Sequence, residues 1–248
     1  MTPTGAAPFF RHARLGSTND EARRLADEGA GHGTAVQAGE QTAGRGRRGR
    51  AWFSPVGNLH LSLLLDSGPE PARAPEIAFV AAVALRETLA TLAPDARFAG
   101  KWPNDILCNG AKIAGMLLEN HPPFAILGVG VNVVAAPPAN EVQYPATCLA
   151  AIGCASDADD VGHVFRENVL AWHWRWRRDG FAPIRAAWLE HAAGVGEAVT
   201  VRLADQRVLE GRFGGLDADG ALLLELPDGG RRQVLAGDVF FARARGAA

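Results

Sequence analysis

The sequence predicts an α+β architecture, a mixed β-sheet with flanking helices, followed by a small C-terminal β-barrel. Three observations point there. Helical and strand-like periodicities interleave through most of the chain. From Val195 onward the composition changes to short β-like runs separated by Asp/Gly turns. Finally, 248 residues with 48% apolar content suffice for one large core and a small second one. The expected division is 1–194 and 195–248.

In chain order, Thr18-Asn-Asp-Glu21 has capping-box spacing and opens a helix over 18–28. Residues 34–38 read as a short strand, 44–50 as a loop without apolar period, and 58–65 as a strand. Pro75 opens an Ala/Leu-rich helix reaching Leu92. Short strands follow at 98–102, 106–108, 112–119 and 124–134, then a loop at 137–145. The longest helix, 157–178, is acidic at its start, basic at its end and stopped by Gly180. A helix at 182–193 ends at Gly194. Strands at 198–203, 208–213, 221–226 and 231–235 complete the chain, with Asp217-Ala-Asp-Gly220 and Asp228-Gly-Gly230 as turns.

Charge and cysteine usage exclude several classes. The net charge is −2, so no bulk polyanion binding is expected. The longest apolar run, 77–85, is too short for a bilayer, and no basic start leads into an apolar stretch. Cys108, Cys148 and Cys154 form no CxxC pair and have no histidine at ligand spacing. Reduced thiols in a cytoplasmic protein are expected, with no zinc site, no nucleic acid and no membrane partner.

Gly44-Arg-Gly-Arg-Arg-Gly-Arg50 satisfies G-x-G-x-x-G but runs into Ala51-Trp-Phe-Ser-Pro55 and a strand, not a helix. A dinucleotide fold needs the helix, whose N-terminus faces the pyrophosphate. HRD, DFG and GxxxxGK[ST] patterns are absent. Four guanidinium groups in seven residues repel one another, so an anion is expected to order the loop. By itself the loop fits a phosphate site or a solvated, RNA-binding patch equally well.

Lys101-Trp-Pro-Asn-Asp105 predicts a tight turn between two strands, holding a lysine and a carboxylate at a pocket edge. Lys112 follows in Lys112-Ile-Ala-Gly115. Alone, these residues fit a local ion pair and an exposed lysine. They occur, however, in order with Ser17-Thr-Asn19, Gln41-Thr-Ala-Gly-Arg-Gly-Arg-Arg-Gly49, Trp52-Phe-Ser-Pro55 and Gly128-Val-Gly-Val-Asn132. Together these segments closely resemble the biotin–protein ligase family over nearly the whole chain.

That resemblance implies a class II synthetase-like biotin/lipoate ligase catalytic domain and an SH3-like C-terminal barrel. It implies ATP-dependent formation of biotinyl-5'-AMP, then transfer of biotin to a lysine of the biotin carboxyl carrier domain of acetyl-CoA carboxylase or a related carboxylase. Biotin and ATP would be substrates and Mg²⁺ an accompanying ion, with metal ligands undefined. Lys112, Arg47, Asp105 and Lys101 are the implied catalytic residues. Ser17, Thr18, Asn19, Gln41, Gly44, Arg45, Gly46, Arg47, Trp52, Lys112, Gly115, Gly128 and Gly130 would bind biotin. Arg47, Arg50, Asn104, Lys112 and Asn132 would bind ATP, with Arg50 reaching the pyrophosphate. The glycines would let backbone approach the ligand.

Only 16 residues precede Ser17, which implies a ligase without the family's winged-helix repressor domain. A monomer or homodimer is expected, with the strand at 128–134 a candidate interface. The rival readings are a lipoate–protein ligase, sharing fold and acyl-adenylate chemistry, and a nucleic-acid-binding module using the Arg/Gly loop.

Overall fold

The computed structural model describes residues 7–241. The first sheet has seven strands: β1 (Phe9–Leu15), β2 (Ala35–Gln41), β3 (Leu59–Asp66), β4 (Phe98–Lys101), β5 (Asp105–Cys108), β6 (Ala111–His121) and β7 (Phe124–Val131). Their order is β1-β2-β3-β7-β6-β5-β4; β1 runs parallel to β2 and every other pair is antiparallel, so the sheet is mixed. The helices are α1 (Thr18–Asp27), α2 (Ile77–Leu92), α3 (Ala158–Asp179) and α4 (Phe181–Glu190). A second, five-stranded antiparallel sheet holds β8 (Ala198–Arg202), β9 (Val208–Leu216), β10 (Leu222–Glu225), β11 (Arg231–Val234) and β12 (Asp238–Phe241).

Strand β3 shows how sequence builds two layers. Its alternate residues Leu59, Leu61, Leu63 and Leu65 have no exposed surface and join α2 and α3 in the main core. Each such burial is worth about 1.5–3 kcal/mol. The intervening Leu64 faces the other way, packing with Ala22 and Leu25 of α1, Val36 and Ile126 in a smaller cluster. His60 and Ser62 share that second face, which carries α1 at one end and a cavity at the other.

Several expectations are corrected. Thr18-Asn-Asp-Glu21 forms no capping box: Ser17 is the N-cap without a side-chain cap, and the Gln41 carboxamide oxygen accepts from the Thr18 amide at 2.9 Å. Helix α3 has the reciprocal box instead, between Asp157 and Asp160. Strands β1 and β12 escape a sequence reading because β1 (FFRHARL) is an edge strand rich in charge and β12 is only four residues long. Strand β7 is paired with β3 on one side and β6 on the other, so both edges of 128–131 are occupied within the sheet.

The second sheet is fastened to the first core by its β9–β10 turn. Trp102, 2% exposed, donates its indole N–H to the Gly220 carbonyl at 3.2 Å. A side chain at Gly220 would run into Phe79 of α2, 2.6 Å from its Cβ position, and the residue's φ of +88° also favours glycine.

A buried histidine gives the fold a pH dependence. His173 on α3 hydrogen-bonds the Asp66 carbonyl at 2.8 Å and lies 4.8 Å from the His32 ring, with Arg177 and the Asp66 carboxylate nearby. Burial pushes its pKa from 6.5 down to about 4, opposed by the carbonyl bond. The unfolded chain therefore takes up a proton that the native state refuses. Stability is full above pH 6.5 and falls as pH drops toward 4, by up to about 3 kcal/mol. Urea unfolding between pH 7.5 and 4.5 should show this loss, flattened in His173→Gln. Parallel curves for the two proteins would remove His173 as its source.

Candidate active site

The sheet register lays out the site. On the α1 side of the sheet, five strands place one residue each in a row: His60 (β3), Gly130 (β7), Gly115 (β6), Asp105 (β5) and Lys101 (β4). The adjoining row is Ser62, Gly128 and Leu117. The glycines make a smooth floor, and the row ends in a carboxylate and an ammonium. Above it lies a cavity of about 660 Å³.

Lys112 reaches this face through a β-bulge. Plain alternation from Gly115 would send it to the opposite face with Ala114. The β5–β6 register instead shifts between Ile106 and Leu107, so Ile113 and Ala114 both enter the core while Lys112 turns into the cavity. Its ammonium lies 2.7 Å from one Asp105 oxygen, and the Lys101 ammonium 3.7 Å from the other. Lys101 is 7% exposed, and burial lowers its pKa below the ordinary lysine value against the pull of Asp105. Asp105 thus holds two ammonium groups that would otherwise repel each other.

Nearly every site residue expected from sequence lines this cavity: Ser17, Thr18, Asn19, Gln41, Arg45, Gly46, Arg47, Arg50, Trp52, Lys101, Asn104, Asp105, Lys112, Gly115, Gly128, Gly130 and Asn132. Gly44 does not. It sits at the base of the loop, where its carbonyl accepts from Trp52 and a Cβ would press on Ser54, Gln41 and Trp52. The floor glycines also have a packing role within the protein. A Cβ at Gly130 would overlap the Trp52 indole, one at Gly115 would come within 2.9 Å of it, and one at Gly128 would overlap Asn19. They make room for these side chains, which then shape the cavity.

The arginine–glycine loop finds its counter-charges within the protein, contrary to the expectation that an external anion orders it. Arg45 pairs with Asp20 at 2.6 Å and Glu119 at 3.3 Å, while Arg48 and Arg50 share Asp238 of β12. Among the described residues, Arg47 alone of the four makes no carboxylate contact; it donates to Asn104 Oδ1 at 3.1 Å and the Gly237 carbonyl at 3.4 Å. Burial lowers its pKa, Asp238 opposing. A half-buried cation without a paired anion, facing a cavity that also holds Lys101 and Lys112, is suited to an anionic ligand.

At the α1 end the polar groups form a relay. Ser62 Oγ lies 2.8 Å from Thr18 Oγ1 and 2.6 Å from Asn19 Oδ1, and the Thr18 hydroxyl donates to Gln41 Oε1 at 3.1 Å. Asn132 is 2% exposed and donates to the Thr147 carbonyl, while its Oδ1 is buried without a partner among the described residues. Sequence reasoning missed the wall built by Pro137, Glu141, Tyr144 and Ala146, together with Asp238 and Phe240 of the second sheet. Tyr144, the chain's sole tyrosine, was detectable by its rarity; its ring lies 5.0 Å from the Lys101 ammonium. Nothing in sequence announced that β12 would reach the site.

Over 239 residues the chain is 41% identical to biotin–[acetyl-CoA-carboxylase] ligase of Paracoccus denitrificans, covering 92% of this chain and 98% of that protein. The chain belongs to the biotin protein ligases. Residues 13–132 match the biotin/lipoate A/B protein ligase family and 194–242 the biotin protein ligase C-terminal domain. The bifunctional ligase/repressor BirA of Bacillus subtilis is 35% identical over 88% of this chain and 69% of its own length. The fold matches that of a biotin protein ligase from Aquifex aeolicus solved with biotin and ATP, with a TM-score of 0.82 and 24% identity over 96% of this chain and 99% of that one. Residues from both matched segments line the one cavity.

Proposed function

We propose that this chain activates biotin with ATP and transfers it to a lysine of the biotin carboxyl carrier domain of acetyl-CoA carboxylase or a related carboxylase. The carrying observation is the Lys112–Asp105–Lys101 cluster set opposite Arg47, with no protein nucleophile required. Biotin's carboxylate oxygen attacks the α-phosphorus of ATP, the bond to the β-phosphate oxygen breaks, and pyrophosphate leaves. Negative charge grows on the α-phosphate, where Lys112 and Arg47 stabilise it. The acceptor amine then attacks the mixed anhydride, AMP departs, and Asp105 is placed to take the amine's proton.

Ser17, Thr18, Asn19, Gln41, Arg45 and Gly46 shape the head-group end, with Trp52 as its wall. Arg50, Asn104 and the unpartnered oxygen of Asn132 face the nucleotide end, where Asn132 suits an N–H donor on the base. Magnesium would accompany ATP: the carboxylates of Asp105 and Asp238 line the cavity and would hold it there, with phosphate oxygens supplying the other ligands. Bound there, it would withdraw charge from the phosphates.

We read the chain as dividing at residue 194, in keeping with the family spans, and as acting in the cytoplasm as a monomer or homodimer. The three cysteines are free thiols, and no helix among the described residues is long and apolar enough to cross a membrane. Biotin should support exchange of labelled pyrophosphate into ATP, whereas lipoate and octanoate should not. Equal turnover with lipoate would transfer the assignment to the rival ligase class.

A further inference from the structure

Glu119 lies on β6 beyond the cavity lining, yet it touches two of the elements that form the cavity. One carboxylate oxygen accepts from Asn19 Nδ2 at 2.9 Å and from Arg23 at 2.9 Å; the other faces Arg45 at 3.3 Å. Asn19 and Arg23 belong to α1, Arg45 to the arginine–glycine loop. The remaining polar end of Asn19 is fixed by Ser62 at 2.6 Å, and the side chain lies against Gly128, where a Cβ would overlap it. Arg45 is likewise held from a second side by Asp20, at 2.6 Å.

From this geometry we infer that Glu119 is a positioning residue for the head-group end of the site, setting the placement of Asn19 and Arg45 at once without touching the ligand. The inference rests on the proposed biotin reading only for the identity of that ligand. Both of Asn19's polar groups are committed to Glu119 and Ser62, so Asn19 acts as a pillar of the cavity. Its position is as good as the acceptor that holds it. Charge-assisted bonds of this kind are directional and strong for their size, and loss of the carboxylate would leave Arg45 with Asp20 alone, on the more exposed side. The expected consequence is local: a looser start of α1 and a looser first turn of the loop. The Arg48–Arg50 half remains pinned to Asp238.

The test compares Glu119→Ala and Glu119→Gln with the native protein. In pyrophosphate exchange, Glu119→Ala should raise the KM for biotin about tenfold or more while the KM for ATP changes less than about twofold. Glu119→Gln keeps a carbonyl acceptor for Asn19 and loses the charge facing Arg45, so its biotin KM should rise less. Limited trypsinolysis is read in parallel. Cleavage after Arg45 should accelerate several-fold in both variants, and cleavage after Arg50 should not. A purely structural lesion would raise both KM values together, or speed cleavage at both arginines, and either result overturns the inference. So does a folded Glu119→Ala protein with native biotin KM and native cleavage after Arg45. Should the native protein show no biotin-dependent exchange, the proposed function fails by itself, and the site-selective proteolysis still decides the role of Glu119.

Discussion

Replacement of Lys112 by alanine should slow adenylate formation by about 10²-fold or more, the loss seen when a preorganised charge-stabilising group is removed. Its ammonium is fixed 2.7 Å from Asp105 and stands over Trp52 at 5.3 Å, so it is aimed before any ligand arrives. The fold should survive, because the strand contacts at this position are made by backbone. The Lys112 amide donates to the Pro145 carbonyl at 2.7 Å and its carbonyl accepts from Thr147 at 2.9 Å, irrespective of side chain. Asp105 keeps Lys101 as a partner. Single-turnover formation of biotinyl-AMP, with circular dichroism as the folding control, measures the effect. Near-native adenylation by a folded Lys112→Ala protein would take Lys112 off the catalytic list.

Gly130→Ala should be nearly as damaging, for a steric reason. The backbone there has no left-handed torsion, so the added methyl is excluded by space alone: it would overlap the five-membered edge of the Trp52 indole. Either the strand or the indole must move, at a cost of about 1–3 kcal/mol. The indole is the freer of the two, and its departure removes the cavity wall. Misplacement of about 1 Å in a positioning group costs roughly 10²-fold in rate, which is the expected loss of adenylation. A second substitution separates the two effects. Trp52→Gly in the Gly130→Ala background removes the overlap and should restore part of the stability, a non-additive result for residues in contact. Activity should stay low, since the wall is still missing. Full activity in Gly130→Ala alone would show that Trp52 has no part in the site.

Much of the fold was legible in sequence because apolar period and turn residues act locally. Helix α2 begins within two residues of the expected Pro75 and ends at the expected Leu92. Helix α3 is flanked by Asp157 and Gly180 as the charge pattern suggested. Strand β1 was not legible, since its seven residues pair on one side only and carry charge on both faces. The helix cap at Thr18 was misread because its acceptor, Gln41, lies 23 positions away. Spacing rules see only neighbours.

The sequence by itself determined the element types, the motif set and hence the family, because each depends on residues within a few positions of one another. Its turn signals also placed Lys101 and Asp105 together between two strands. Only the tertiary structure decided how those charges are spent. Asp20, Glu119 and Asp238 arrive from α1, β6 and β12 to pair with three of the loop's four arginines, which leaves Arg47 without a carboxylate partner among the described residues. The bulge beside Ile106 turned Lys112 to the same face as Asp105, and sheet register aligned Gly130, Gly115 and Asp105 into one floor. Register and bulges follow from which core side chains must be buried together across strands, and that balance has no local signature.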